Sequence, residues 1–455
     1  MFVEKAPSED EALERIAGGT RMFEVLAAPR DPRERERYLH WDKLRRLEPP
    51  SGFTSEEWWY RLKFERRSNL REFPLRNWSP EFPDYLEGRP FSYSLPDSVL
   101  RSLHRIDQRC SGEVAMDEVV TSDGQAGQRY LVNSLMEEAI RSSQLEGATT
   151  SRTVAKDLLR SGREPRDRSE RMIFNNYRAL QFMRLEMGDR LSPDLVMELH
   201  RIVTEGTLRN PGAAGRLQQP GEERVAVFDR DDGRRVHMPP PADQLPERMR
   251  FLCNFANEGE DSDQFIHPVI RAILIHFWLA YDHPFEDGNG RTARILFYWL
   301  MQTHGYWLVE YLPISRILRT APAQYGRAFL ETETDGGDAT YFLIHQLNVM
   351  EKAIGELHEY LGRKMGEIRE VESLIHGTEH FNHRQLSLLS DALRHPDRSY
   401  SLRGHAEIHR VTHETARSDL SALVERELLT RRKLGREYSF DPAPDLPERL
   451  RESGK

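Results

Sequence analysis

The alternation of apolar and polar positions divides the chain into regimes. From Ser94 to about Lys364 the apolar residues recur every three or four positions. Leu131, Leu135, Met136, Ala139 and Ile140 form one stripe, Ile270, Ile273, Leu274, Phe277 and Tyr281 a second, and Ile295, Leu296, Trp299 and Leu300 a third. That spacing gathers each set on one helix face and predicts a helical core over residues 94–365. Between Arg224 and Met238 the period changes. Val225, Val227, Val236 and Met238 alternate with polar neighbours around Asp231-Asp232-Gly233, and Pro239-Pro240-Pro241 follows. This predicts one β-hairpin at about 224–238 inside an otherwise helical domain.

The flanking regions differ. In residues 1–93, Trp41, Trp58 and Trp59 sit among Pro49-Pro50, Pro74 and Pro80, and Arg37 to Leu47 and Glu56 to Arg66 each allow a short helix. The expectation is a small helical lobe with indoles in its core. A long charged helix is expected from about Val349 to Leu374. In the tail, residues 376–445, short helices are expected at Arg384 to Leu393, Gly404 to Ile408 and His413 to Glu427, then two strands around Gly435. Helix, helix, helix, hairpin is the winged helix-turn-helix order. The fold class is therefore expected to be mainly α.

Composition narrows this only a little. The 455 residues are 38 % hydrophobic and 31 % charged with a net charge of -9, so a basic surface for nucleic acid or membrane would have to be local. Cys110 and Cys253 are too few for a disulfide framework. No apolar run approaches a membrane span. The acidic Ser8-Glu9-Asp10-Glu11 argues against a targeting signal, and a cytoplasmic protein is expected.

The chemistry concentrates in His283-Pro284-Phe285-Glu286-Asp287-Gly288-Asn289-Gly290-Arg291-Thr292-Ala293-Arg294. Pro284 breaks a helix that ends near Tyr281, and a new helix is expected near Thr292. Gly288-Asn289-Gly290 lets successive amides point inward at the start of that helix, an anion nest suited to phosphate. Arg291 and Arg294 can add charge-assisted contacts. Asp287 is a hard oxygen ligand for a Mg²⁺ bridging phosphates. His283 titrates near neutrality and can take a proton from an incoming hydroxyl. Each feature alone has a bland reading, as a turn, a cap or a solvated pair; their coincidence points to phosphoryl transfer.

The string matches the Fic signature HPFx(D/E)GNGRxxR at every specified position, so the chain resembles the Fic family. The resemblance implies a helical core and transfer of a nucleoside monophosphate, usually AMP from ATP, to a Ser, Thr or Tyr hydroxyl of a protein, including the chain itself. It implies that His283 is the base, that Asp287 holds Mg²⁺, and that Gly288, Asn289, Gly290, Arg291 and Arg294 hold the phosphates. It further implies that the hairpin is a flap on which the target docks as an added strand, that Tyr325 lies near the nucleobase or packs there, and that the protein forms a homodimer. Ser142, Glu146 and Gly147 fit the family's [ST]xxxE[GN] pattern for an inhibitory helix, here about 131–147. Glu146 would compete with the γ-phosphate for Arg294.

Two alternatives stay open. Glu146 could position a water that removes AMP from a modified protein. The tail, which resembles winged-helix domains found after Fic cores, could make the chain a DNA-binding regulator whose core senses ATP. In that reading Arg417 and Ser418 would face a groove, Arg431, Arg432, Lys433 and Arg436 would lie over phosphates, and Thr412 would cap the helix. Asp419, Glu425 and Glu427 are expected to dilute that positive face. The target, the nucleotide donor and the balance of transfer against removal are not encoded in these motifs.

Overall fold

The computed structural model describes residues 2–8, 11, 19–29, 31, 33–34, 37–81, 84–110, 124–228, 233–259, 262–376, 381–394, 398–434 and 437–453. It is mainly helical. The chain divides into two compact units, one of residues 1–114 with 131–354, the other of 115–130 with 355–455. No helix among the described residues is long and apolar enough to cross a membrane.

The first unit opens with α1 (Gly19–Ala27), α2 (Trp41–Leu44) and α3 (Ser55–Arg67). A capping box, in which Thr54 and Glu57 satisfy each other's backbone amides, starts α3 and aims Trp58 and Trp59 into a core shared with Trp41 and Leu44. The lobe is not purely helical. Strands β1 (Arg71–Arg76) and β2 (Pro90–Tyr93) pair antiparallel, with Arg71 opposite Tyr93 and Phe73 opposite Phe91. No local pattern marks them, because no short turn joins them and β1 contains Pro74. What stabilises the pair is tertiary: Phe73 packs against Phe255 and edgewise on Trp278, both from distant helices.

The chain continues through α4 (Asp97–Cys110), α5 (Gly124–Leu145), α6 (Arg152–Ser161), α7 (Arg168–Leu185) and α8 (Pro193–Thr204). Then β3 (Val227–Phe228) pairs antiparallel with β4 (Arg235–His237), Val227 opposite His237. Asp231 and Asp232, read as its turn, lie outside the described residues; Gly233 has φ 67°. Helices α9 (Leu245–Asn257), α10 (Pro268–Asp282), α11 (Asn289–Thr303), α12 (Ile314–Thr320) and α13 (Pro322–Thr334) complete the core, and α14 (Thr340–His376) follows. The long helix thus begins already at Thr340, because its first turns are buried rather than charged. The α10–α11 pair is the centre: Phe277, Trp278, Leu296 and Trp299 are all at most 1 % exposed. Every residue from Val269 to Leu279 is buried, so α10 is covered on all sides, as expected of a helix surrounded by others.

In the second unit, α15 (His383–Arg394), β5 (Tyr400–Ser401), α16 (Leu402–His409), α17 (His413–Glu425), β6 (Leu429–Leu434), β7 (Glu437–Pro442) and α18 (Leu446–Ser453) surround Leu389, Leu420, Leu423 and Phe440. The sheet order is β5-β7-β6, all antiparallel. Thr412 caps α17 by accepting the Thr415 amide. Gly435 and Arg436 fall outside the described residues. Asp419 departs from expectation. It is buried and accepts hydrogen bonds from Arg384 and Asn382, with His405 3.2 Å away, so it does not lie on the exposed face of α17. Glu427 lies beyond the end of α17, at φ 60°.

Candidate active site

The site forms where α10 stops and α11 starts. His283 ends α10 in the left-handed region, φ 44°, its amide still bonded to the Leu279 carbonyl. Such a turn is costly for a side-chain-bearing residue and persists only when neighbours hold it. Here Arg224 does so, donating to the carbonyls of Asp282 at 2.7 Å and His283 at 3.1 Å. Buried Asp282 is neutralised by Arg248 at 2.7 Å and accepts from the Trp278 indole.

The loop between the helices is fastened from inside. Asn289 accepts the Phe285 amide and donates to the Phe285 carbonyl, both at 2.9 Å, and its Nδ2 lies 3.3 Å from His283 Nδ1. Phe285 is stacked on His200, with centroids 3.7 Å apart. His200 accepts the Gly215 amide on Nδ1, and its Nε2 donates to the Asp287 carbonyl at 2.9 Å. Burial lowers the His200 pKa to about 4, so the ring is neutral with one donor and one acceptor. Gly288, φ 88°, has no room for a side chain: a Cβ there would sit 2.7 Å from Thr204 Cγ2.

Four of the residues singled out in the sequence, Glu146, His283, Arg294 and Tyr325, line one cavity of about 500 Å³, and Gly290 contributes its backbone. Arg294 is 3 % exposed. Its Nε donates to Ser142 Oγ at 2.8 Å, and its Nη2 donates to the Ser142 carbonyl and to Glu146 Oε1 at 2.9 Å. Nη1 is buried and makes no hydrogen bond among the described residues. The Glu146 carboxylate also lies against Gly290, where a Cβ would come within 2.2 Å of Oε1. Glu146 thus covers the first turn of α11, where a bound anion would meet the helix dipole. Tyr325 Oη lies 2.7 Å from His276 Nε2, and burial raises its pKa to about 12.

Arg291 and Asp287 are placed differently. Arg291 is fully buried behind the loop, donating to the Val203 carbonyl at 3.0 Å and reaching Asp287 at 3.5 Å. Asp287 accepts the Gly288 amide at 2.6 Å and pairs with Arg168 at 2.9 Å. No group of three or more His, Cys, Asp or Glu suited to a metal occurs among the described residues. A lone carboxylate nevertheless suits Mg²⁺, which takes its remaining ligands from phosphates and water. Arg168 would have to yield Asp287 Oδ2 to it.

His283 is held well away from its ordinary titration range. Burial, then the positive neighbours His237 and Arg224, lower its pKa to about 3, so at neutral pH the imidazole is uncharged and keeps a lone pair. Sequence reasoning missed several groups here: His237 and Glu333, which also line the cavity, the loop-fastening His200, and Arg224. None has a local pattern. Each is recognisable only by what the fold brings next to it.

Residues 190–301 match the model of the Fic/DOC family. A protein adenylyltransferase Fic from Nematostella vectensis is 30 % identical over 122 residues, 27 % of this chain and 25 % of that protein. The protein adenylyltransferase fic-1 of Caenorhabditis elegans is 30 % identical over 171 residues, 36 % of this chain and 30 % of that protein. The chain thus spans under a third of the length of either relative. A crystal structure of a Fic family protein from Desulfovibrio desulfuricans shares the fold, with a TM-score of 0.51 over 82 % of this chain and 98 % of that one, at 18 % identity. The stretch 190–301, which carries His283 to Arg294 at the junction of two buried helices, is similar to the Fic/DOC family.

Proposed function

We propose that this chain is a protein adenylyltransferase held off by its own Glu146. The observation that carries the reading is the Arg294 side chain, bonded to Ser142 and Glu146 at the mouth of α11 in the same cavity as a neutral His283. In the reaction His283 accepts the proton of a protein Ser, Thr or Tyr hydroxyl. The hydroxyl oxygen then bonds to the α-phosphorus of ATP, the bond to the bridging oxygen breaks, and pyrophosphate leaves. In this reading Gly288, Asn289 and Gly290 hold the phosphates at the start of α11, the Gly288 amide exchanging Asp287 for phosphate, and Arg294 takes the γ-phosphate once Glu146 withdraws. Asp287 would hold Mg²⁺, which neutralises phosphate charge when bound. Arg291 supports this arrangement from behind by bracing Asp287, and Tyr325 forms part of the nucleobase wall. The edge of β3 is the proposed seat of the target segment.

The test is transfer of labelled AMP from ATP onto the chain itself. Glu146→Gly is expected to raise the rate at least tenfold, because Arg294 is released. Adding His283→Ala is expected to abolish transfer while ATP binding persists. Equal rates in Glu146→Gly and the unaltered chain would sink the brake, and transfer without His283 would remove it as the base.

Removal of AMP from a modified protein has one observation in its favour: the partly exposed Glu146 carboxylate shares the cavity with His283 and is placed to hold a water. Release of free AMP from AMP-modified chain tests it. For the second unit we propose a winged helix-turn-helix, supported by its element order and by the exposure of Arg417, Ser418, Arg431, Arg432 and Lys433. DNA binding through this face predicts a gel shift that disappears when Arg431, Arg432 and Lys433 are neutralised. We further propose a homodimer with a cytoplasmic location.

A further inference from the structure

His237, the last residue of β4, is only 8 % exposed, yet both its ring nitrogens are engaged. Nδ1 is 2.7 Å from Glu333 Oε2 on α13, and Nε2 is 2.7 Å from the Tyr281 carbonyl at the end of α10. A carbonyl can only accept, so Nε2 must carry a hydrogen. An ionised carboxylate can only accept, so Nδ1 must carry one too. A ring that satisfies both bonds is therefore an imidazolium. We propose that His237 is a positioning residue: doubly protonated, it fastens the β3–β4 hairpin both to α13 and to the last turn of α10, just before His283.

The consequences follow the contacts. Val227 on β3 pairs with His237, and the Val225 backbone bonds His283, so fixing β4 fixes the wall that faces the base. The positive ring also stands near His283 and opposes its protonation. Other groups bear on His237. Glu333 faces it from α13, and Tyr281 and Asp282 face it from α10, with the Tyr281 ring centroid 4.9 Å away. Arg224 and Arg248 lie beyond, against Asp282. Burial alone would lower the His237 pKa. Glu333 outweighs it, with help from the Tyr281 carbonyl and Asp282, and the pKa is raised. The clamp is accordingly closed below that raised value and opens as pH climbs through it. Its role in catalysis rests on the transferase reading; its existence does not.

Two measurements separate these. In ¹⁵N-histidine-labelled protein, the ring signals that disappear in His237→Asn identify His237. They should report both nitrogens protonated at pH 7, and Glu333→Gln should move the titration midpoint down by at least one pH unit. A neutral ring at pH 7, or an unmoved midpoint in Glu333→Gln, overturns the clamp. In the Glu146→Gly background, the pH profile of self-modification should lose its alkaline limb in His237→Gln. That side chain still donates to the Tyr281 carbonyl but cannot titrate anywhere in the working pH range. An unchanged profile overturns the catalytic role. If Glu146→Gly transfers nothing from ATP, the transferase reading fails while the ring titration still decides the clamp.

Discussion

Asp287 stands in a conflict that only the folded chain reveals. Its carboxylate is read as the Mg²⁺ ligand, yet Arg168 holds one oxygen at 2.9 Å and Arg291 reaches the other. The Arg168 side chain is more than half exposed, so its pairing is screened and weak. A dication that also gains phosphate ligands would displace it. Arg168→Ala is therefore expected to lower the Mg²⁺ concentration for half-maximal self-modification several-fold in Glu146→Gly, with little change at saturating Mg²⁺. A Mg²⁺ titration of the rate checks this, and an unchanged or higher requirement would count against Asp287 as ligand. Arg294 makes the same point in reverse. Its pairing with Glu146 is almost fully buried on the arginine side, with one nitrogen that finds no partner among the described residues. That leaves an unsatisfied donor, which costs about 1–3 kcal/mol and favours any anion that satisfies it.

At the scale of the element, the brake depends on where α5 is anchored. Buried Glu138, two turns before Glu146, accepts the Ser315 backbone amide at 2.9 Å and the Ser315 hydroxyl from α12. Burial dominates its environment and raises its pKa, although both Ser315 bonds work against it. Glu138→Ala would strand the Ser315 amide and leave a cavity, destabilising the fold by about 2–4 kcal/mol. It should also loosen the end of α5. The expected result is a lower melting temperature together with basal self-modification above the unaltered chain but below Glu146→Gly. A lowered melting temperature without any gain in transfer would mean that α5 does not hold Glu146 in place.

For the whole molecule, the notable charge feature is a set of neutral histidines, of which His40, His200 and His276 are buried and His283 and His345 half-buried. Burial lowers the pKa of His40, His200 and His345 to about 4 and of His283 to about 3, and holds that of His276 well below its ordinary value. In the unfolded chain these rings take protons near pH ~6.5, whereas the fold refuses them. Their contribution is thus complete above about pH 6.5 and is lost as pH falls toward 4, by on the order of 1 kcal/mol per pH unit for each fully buried ring. His237 acts oppositely, because its folded pKa is raised. Denaturant melts taken from neutral pH down to about pH 5 should show stability falling with acidity. A flat or rising trend would contradict the burial of these rings.

Much of this was legible in the chain itself. The period of the apolar residues around Ile270 and Ile295 marked the two central helices, and His283 to Arg294 named its chemistry through residue type and spacing, both of which are local properties. Folding decided what is not local. Phe73 and Phe91 pair as strands because Phe255 and Trp278 cover them. Asp419 turns inward because Arg384 and His405 meet it there. Arg291 faces Val203 while Arg294 faces the cavity, a split that identical side chains one helical turn apart do not announce. The meeting of Glu146 with Arg294 was implied only by the resemblance of Ser142, Glu146 and Gly147 to a family pattern, and that of His237 with Glu333 by nothing in the sequence. A contact of the second kind depends on which surfaces the core brings together, and no local pattern encodes it.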